Sequence, residues 1–121
     1  MKVVPLYSSK GDVGAYLVYP HLFNVVGEWI GFCTREREVY SVLGNYVGYL
    51  SEDHRILRAR TLSSTRRRQK PPARPPKLMP PAGAPLAPLM RELTHSTVDV
   101  LLEEPDRLHT EDMGELRPDL E

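Results

Sequence analysis

Few residues in this 121-residue chain have types and spacings that could carry chemistry. His95 and Asp99 stand at i and i+4, where a carboxylate on a helix could orient an imidazole for proton transfer, yet no nucleophile or metal-ligand partner accompanies them. His21, His54 and His109 fall in separate contexts, the first two just ahead of apolar runs. Cys33 is the only cysteine, which excludes an intrachain disulfide and leaves a zinc site short of thiolates. It reads as a small hydrophobe, because Leu17 and Leu50 hold its place in the repeats described below. Glu36, Glu38, Glu52 and Asp53 are expected at solvated loop tips. No phosphate loop, nucleophile elbow or paired-cysteine motif is present. The expectation is a protein that is not an enzyme, with no catalytic residue, metal or cofactor.

The elements that would position any site follow from an internal repeat. Gly11, Gly27 and Gly44 recur at spacings of 16 and 17, as do Tyr7, Phe23 and Tyr40, and Tyr16, Phe32 and Tyr49. Aligned, the units are LYSSKGDVGAYL (6–17), LFNVVGEWIGFC (22–33) and VYSVLGNYVGYL (39–50). Each reads as a β-hairpin turning at Gly-Asp, Gly-Glu or Gly-Asn. Strict alternation in the second strands places Trp29, Gly31 and Cys33 on one face, opposite Ile30 and Phe32, and Tyr46, Gly48 and Leu50 opposite Val47 and Tyr49. The middle slot is always small (Ala15, Gly31, Gly48), which permits sharp bending or close approach of another backbone. A fourth unit starts at Ile56–Arg60, with Leu57 in the aromatic slot, and then turns polar. Exposed sheet edges must be avoided. The expectation is an all-β, shallow, pseudo-fourfold barrel whose fourth quarter joins residues 55–60 to Lys2–Val4.

Those three hairpins resemble the 4-fold beta flower domain, a bacterial family of four β-hairpin units around a pseudo-fourfold axis. The resemblance covers about residues 2–60 and departs from the pattern in the fourth unit. It implies a fold and carries no settled activity.

Composition divides the chain at residue 60. All nine aromatic residues lie between Tyr7 and Tyr49, so residues 1–60 are expected to hold the core. Residues 61–80 carry six Lys/Arg and no acid, while 81–121 carry three against ten Asp/Glu. Eight of the 12 prolines lie between Pro71 and Pro88. Residues 61–85 are accordingly expected as a disordered Pro/Arg-rich linker, and 86–121 as a largely disordered acidic tail. Leu86, Leu89, Met90 and Leu93 have helical spacing, and Ser96–Glu104 is expected as a second short helix capped by Ser96 or as an extended segment. No signal peptide or ~20-residue apolar span is present, which gives an expectation of a soluble cytoplasmic protein.

Two function classes follow. In the first, the β domain anchors recruiting segments for a protein partner, with Pro72, Pro75 and Lys77 matching a PxxPx(K/R) pattern and Leu89, Met90 and Leu93 forming a docking segment. In the second, Ala15, Trp29, Gly31, Tyr46 and Gly48 line a central cavity for a lipid or other apolar ligand. The cations of the linker would also suit a membrane surface, or the acidic tail itself. Specific nucleic-acid binding is not expected, because the basic tract has no aromatic residue to stack on bases.

Overall fold

The computed structural model describes residues 2–61 and 67–112; expectations for 62–66 and 113–121 lie outside the described residues. One antiparallel sheet runs in chain order through β1 (Val4–Tyr7), β2 (Val13–Val18), β3 (His21–Phe23), β4 (Trp29–Cys33), β5 (Glu38–Ser41), β6 (Tyr46–Leu50), β7 (Ile56–Ala59) and β8 (Thr97–Asp99). The sheet curls into a half-barrel. Helix among the described residues includes one turn, α1 (Val100–Glu103), and a 3-10 turn over Pro105–Arg107.

The hairpins read from the repeat share one register. The aromatic slot faces the residue after the turn in the pairs Tyr7 with Val13, Phe23 with Trp29 and Tyr40 with Tyr46. The preceding residue faces the small slot in the pairs Leu6 with Ala15, Leu22 with Gly31 and Val39 with Gly48. One residue is left over in each hairpin: Gly14, Ile30 and Val47. These are β-bulges, and a bulge breaks the two-residue alternation of faces. The faces assigned by strict alternation are therefore corrected. Ile30 and Val47 turn inward with Leu6, Leu22, Val39 and Ile56, while Trp29 joins Tyr16, Phe23 and Val42 in a separate cluster.

β7 pairs with β8 from the distant tail, which corrects the expected pairing of residues 55–60 with Lys2–Val4. Val4 already pairs with Leu17, so the start of the chain is committed to the first hairpin. The partner of β7 is β8, with Leu57 facing Asp99 where the other hairpins have Val13, Trp29 or Tyr46. Val100 follows in the place of Ile30 and Val47, and is fully buried with them. Leu101 stands where the other units have a small residue, and there the chain leaves the sheet for α1. Its Cδ1 lies 3.0 Å from where a Cβ on Gly14 would be, so it fills the space left by the one bulge that lacks a side chain.

Three further expectations for the second half are corrected in whole or in part. Residues 86–93 contain no helix, because Pro88 lacks an amide donor and disfavours helical backbone at Ala87. For Ser96–Glu104 both alternatives hold in part, with Thr97–Asp99 extended as β8 and Val100–Glu103 forming one helical turn, and only the cap is corrected, since Asp99 and not Ser96 precedes that turn. Leu108, in the stretch expected to be disordered, is buried in the inner cluster with Val100. The core therefore draws on both halves of the chain.

A fragment ending at residue 60 lacks β8, Val100, Leu101 and Leu108. It is expected to lose cooperative thermal unfolding and near-ultraviolet dichroism, whereas a chain ending at residue 112 keeps both.

Candidate functional site

Each hairpin turn is set by a short polar side chain bonding to backbone a few residues on. Ser8 Oγ accepts from Lys10 N (3.2 Å), Asn24 Oδ1 from Val26 N (3.1 Å) and Glu28 N (2.9 Å), and Ser41 Oγ from Asn45 N (3.3 Å). The turns then pass through Gly27 at φ +91° and Gly44 at φ +87°, a region open to glycine with little strain.

These turns carry the Pro-rich segment. Leu78 N donates to Gly27 O (2.9 Å), and Gln69 N donates to Gly44 O (3.0 Å). A Cβ at Gly27 would collide with the Leu78 carbonyl oxygen, and one at Gly44 with that of Gln69. Ala87 reaches the first turn more loosely, its Cβ 4.0 Å from where one on Gly11 would be. Residues 67–91 thus run as a strap past the third, second and first turns in that order, meeting them at Gln69, Leu78 and Ala87. The expected free linker is instead fastened to the domain. Its side-chain anchors are Leu78, buried against Trp29 and Phe23, and Arg68, whose Nη2 donates to Leu43 O (2.6 Å). Tyr7 Oη also donates to Pro85 O (2.7 Å).

The strap ends where the first and last hairpins meet. Arg55 is buried, with Nη2 donating to Arg91 O (2.9 Å) and to Asp53 Oδ2 (2.6 Å), and Nη1 donating to Ser9 Oγ (2.8 Å). Ser9 passes the contact to β8: its Oγ (2.5 Å) and its amide (2.6 Å) both donate to Asp99 Oδ2. Tyr7 N donates to His54 O (2.8 Å), which ties β1 to the turn before β7. Burial pushes the Asp53 carboxyl up, but bonds from Arg55 and Ser51 outweigh it and hold the group below the usual carboxylate range. Nearby, Arg58 grips Glu104 with both carboxylate oxygens engaged (2.5 and 2.6 Å), and this bond lowers the Glu104 carboxyl despite its burial.

The residues expected to act together are divided between two environments. Ala15 is sealed in the inner cluster; Gly31 lies against the Tyr40 carbonyl and Leu108, and Gly48 against the Leu57 carbonyl. The small slots thus admit the backbone of the next hairpin. Trp29 packs in the outer cluster beneath the strap, its Nε1 donating to Gly31 O (2.8 Å), and Tyr46 meets Tyr40 edge-on at 5.7 Å. Pro72 and Pro75 are half-buried and Lys77 is exposed. A groove of about 320 Å³ separates Trp29 and Glu28 from Arg74–Lys77 and Thr110–Asp112. Leu89 is fully exposed, whereas Met90 and Leu93 are half-buried. Among the described residues the tail–linker attraction has a counterpart in an exposed Arg74–Glu111 pair at 3.4 Å.

The candidate chemical groups stay apart. Asp99 is held by Ser9, while His95 is exposed and contributes its carbonyl to Arg60 Nε (2.7 Å). An i, i+4 spacing does not bring side chains together across a strand. Burial pushes the Cys33 thiol up to about 11, with Arg37 opposing weakly. Burial also lowers the His21 imidazole, whose Nδ1 has no hydrogen-bond partner among the described residues. Among the described residues, no group of three or more His, Cys, Asp or Glu could hold a metal, and no helix is long and apolar enough to cross a membrane.

Reading from the sequence missed the strap, although a signal for it was present. QKPPARPPK (69–77) and LMPPAGAPL (78–86) agree at both prolines of the pair, at the alanine and at the eighth position, and their nine-residue period is the interval between Gln69 and Leu78. The Ser9–Asp99–Arg55 contact had no comparable signal. In comparisons with protein-family models, curated proteins and solved structures, nothing matches the chain.

Gly27→Ala is expected to cost about 1–3 kcal/mol, from the strained turn and from the displaced Leu78 carbonyl. Gly83→Ala, with nothing within 4 Å of its Cβ, is expected to stay within about 0.5 kcal/mol. Urea denaturation measures both, and limited proteolysis should show faster cutting within 67–91 only in the first variant. Stability is also expected to fall on acidification. A histidine lowered by folding contributes stability above its unfolded value, and that contribution is lost as pH drops below about 6.5. Asp53 and Glu104 add a second loss below about pH 4. In thermal melts, His21→Gln should remove the first loss and leave the second.

Proposed function

We propose that the chain is a non-enzymatic interaction module. Its four hairpins, arranged with the approximate fourfold symmetry that the resemblance to the 4-fold beta flower domain implies, anchor recruiting segments for a protein partner. The observation that carries this reading is the way the strap is held. Its backbone is fastened at Gln69, Leu78, Pro85 and Arg91, yet Met79, Leu86 and Leu89 are left 87%, 96% and 101% exposed. A proline-rich segment that is already ordered loses little conformational entropy on binding. A cytoplasmic setting belongs to this reading and suits the single, buried thiol of Cys33.

The reading as a barrel for a lipid on the axis has weaker support. Val100, Leu101 and Leu108 pack into the inner cluster, and Trp29 lies in the other one.

A photoreactive amino acid placed at Met79 or Leu89 in cells is expected to trap a discrete second protein. The same group at Tyr19, exposed at the β2–β3 connection away from the strap, should trap none. Cross-linking from Tyr19 alone, or from no position, would overturn the reading. A shift in Trp29 emission with anionic vesicles would favour the lipid reading instead.

A further inference from the structure

We infer that residues 85–89, Pro-Leu-Ala-Pro-Leu, are the recognition element of the strap, and that their partner is a folded domain with an aromatic-lined groove for polyproline-II ligands. This rests on the reading of the chain as a recruiting module and names the partner class. The segment is clamped at both ends: the Pro85 carbonyl accepts from Tyr7 Oη (2.7 Å), and the Arg91 carbonyl accepts from Arg55 Nη2 (2.9 Å). Between the clamps, Ala87 is turned to the domain at Gly11, while Leu86 and Leu89 are fully exposed.

The spacing gives this exposure its meaning. Polyproline II has three residues per turn, so residues three apart share an edge. In that conformation, which Pro85 and Pro88 favour, the two prolines would form one ridge and Leu86 and Leu89 the next, with Ala87 on the side that lies near Gly11. Pro85 and Pro88 are themselves exposed. Proline fixes its own φ and steers the preceding residue, here Ala84 and Ala87, away from helical backbone. Pro85-Leu86-Ala87-Pro88 is a PxxP segment, and such segments dock into aromatic-lined grooves. The PxxPx(K/R) match at Pro72, Pro75 and Lys77 is a poorer ligand, because Pro72 and Pro75 are half-buried on the domain. Scattered exposed leucines would need no explanation, but this pair is ordered by anchors on either side.

The test uses the full chain against an array of SH3, WW and EVH1 domains, with isothermal titration of any domain that binds. Leu86→Ser/Leu89→Ser is expected to weaken binding at least about tenfold, as loss of a central apolar anchor does. Pro72→Ala/Pro75→Ala should change it less than about twofold, within the range of a contact outside the interface core. The leucine variant should keep the wild-type melting temperature, since Leu86 and Leu89 are fully exposed. Loss of binding in the Pro72/Pro75 variant alone would overturn the assignment while sparing the recruiting reading. Binding by no domain would overturn the partner class, leaving the recruiting reading to its own cross-linking result. Leucine-dependent co-sedimentation with phosphatidylglycerol vesicles, or leucine-dependent dimerisation in analytical ultracentrifugation, would also overturn it.

Discussion

The pairing of β7 with β8 is the constraint on which the rest of the molecule depends. Without β8, β7 would present an open row of backbone donors and acceptors at Ile56–Ala59. The strand that covers β7 comes from residues 97–99, so the intervening chain must leave the sheet after β7 and return to it. The strap is the path of that excursion. It passes the other three turns, and its contact with them requires residues without a side chain at Gly27 and Gly44.

Closure is reinforced by a chain of polar contacts at the same seam. Asp99 bonds Ser9, Ser9 bonds Arg55, and Arg55 bonds both Asp53 and the Arg91 carbonyl. A charge as buried as that of Arg55 is costly unless its donors are met, and here Asp53, Ser9 and the Arg91 carbonyl meet them. The first turn, the last two strands and the end of the strap are thereby fixed as a unit. Inside the curl the same economy appears in apolar form, with Val100 in the third inward bulge position and Leu101 filling the gap at Gly14.

These features shape the functional reading. The strap is ordered by its backbone and by a few side chains, which frees Leu86, Leu89 and Met79 on its outer side. A segment held in this way is neither core nor free linker. It combines the order of a folded surface with the composition of a proline-rich ligand. The interior, by contrast, is occupied by aliphatic side chains from both halves of the chain.

By itself the sequence determined the hairpin unit, its glycine turns, the all-β class and the small slots, because these follow from local backbone limits that recur every 16 or 17 residues. It did not determine the faces, since a bulge at Gly14, Ile30 and Val47 leaves the residue types unchanged while reversing which side Trp29 takes. Nor could it show which segment completes the fourth hairpin. Val98 and Val100 carry the right pattern for a strand, but pairing with a strand some 40 residues away is decided by which edge stays open once the others have paired. The Pro-rich tract was legible as extended chain, because proline fixes φ wherever it stands. That this chain is a fastened strap, with Leu78 buried and Leu86 and Leu89 outside, was decided only when the turns came into reach of it.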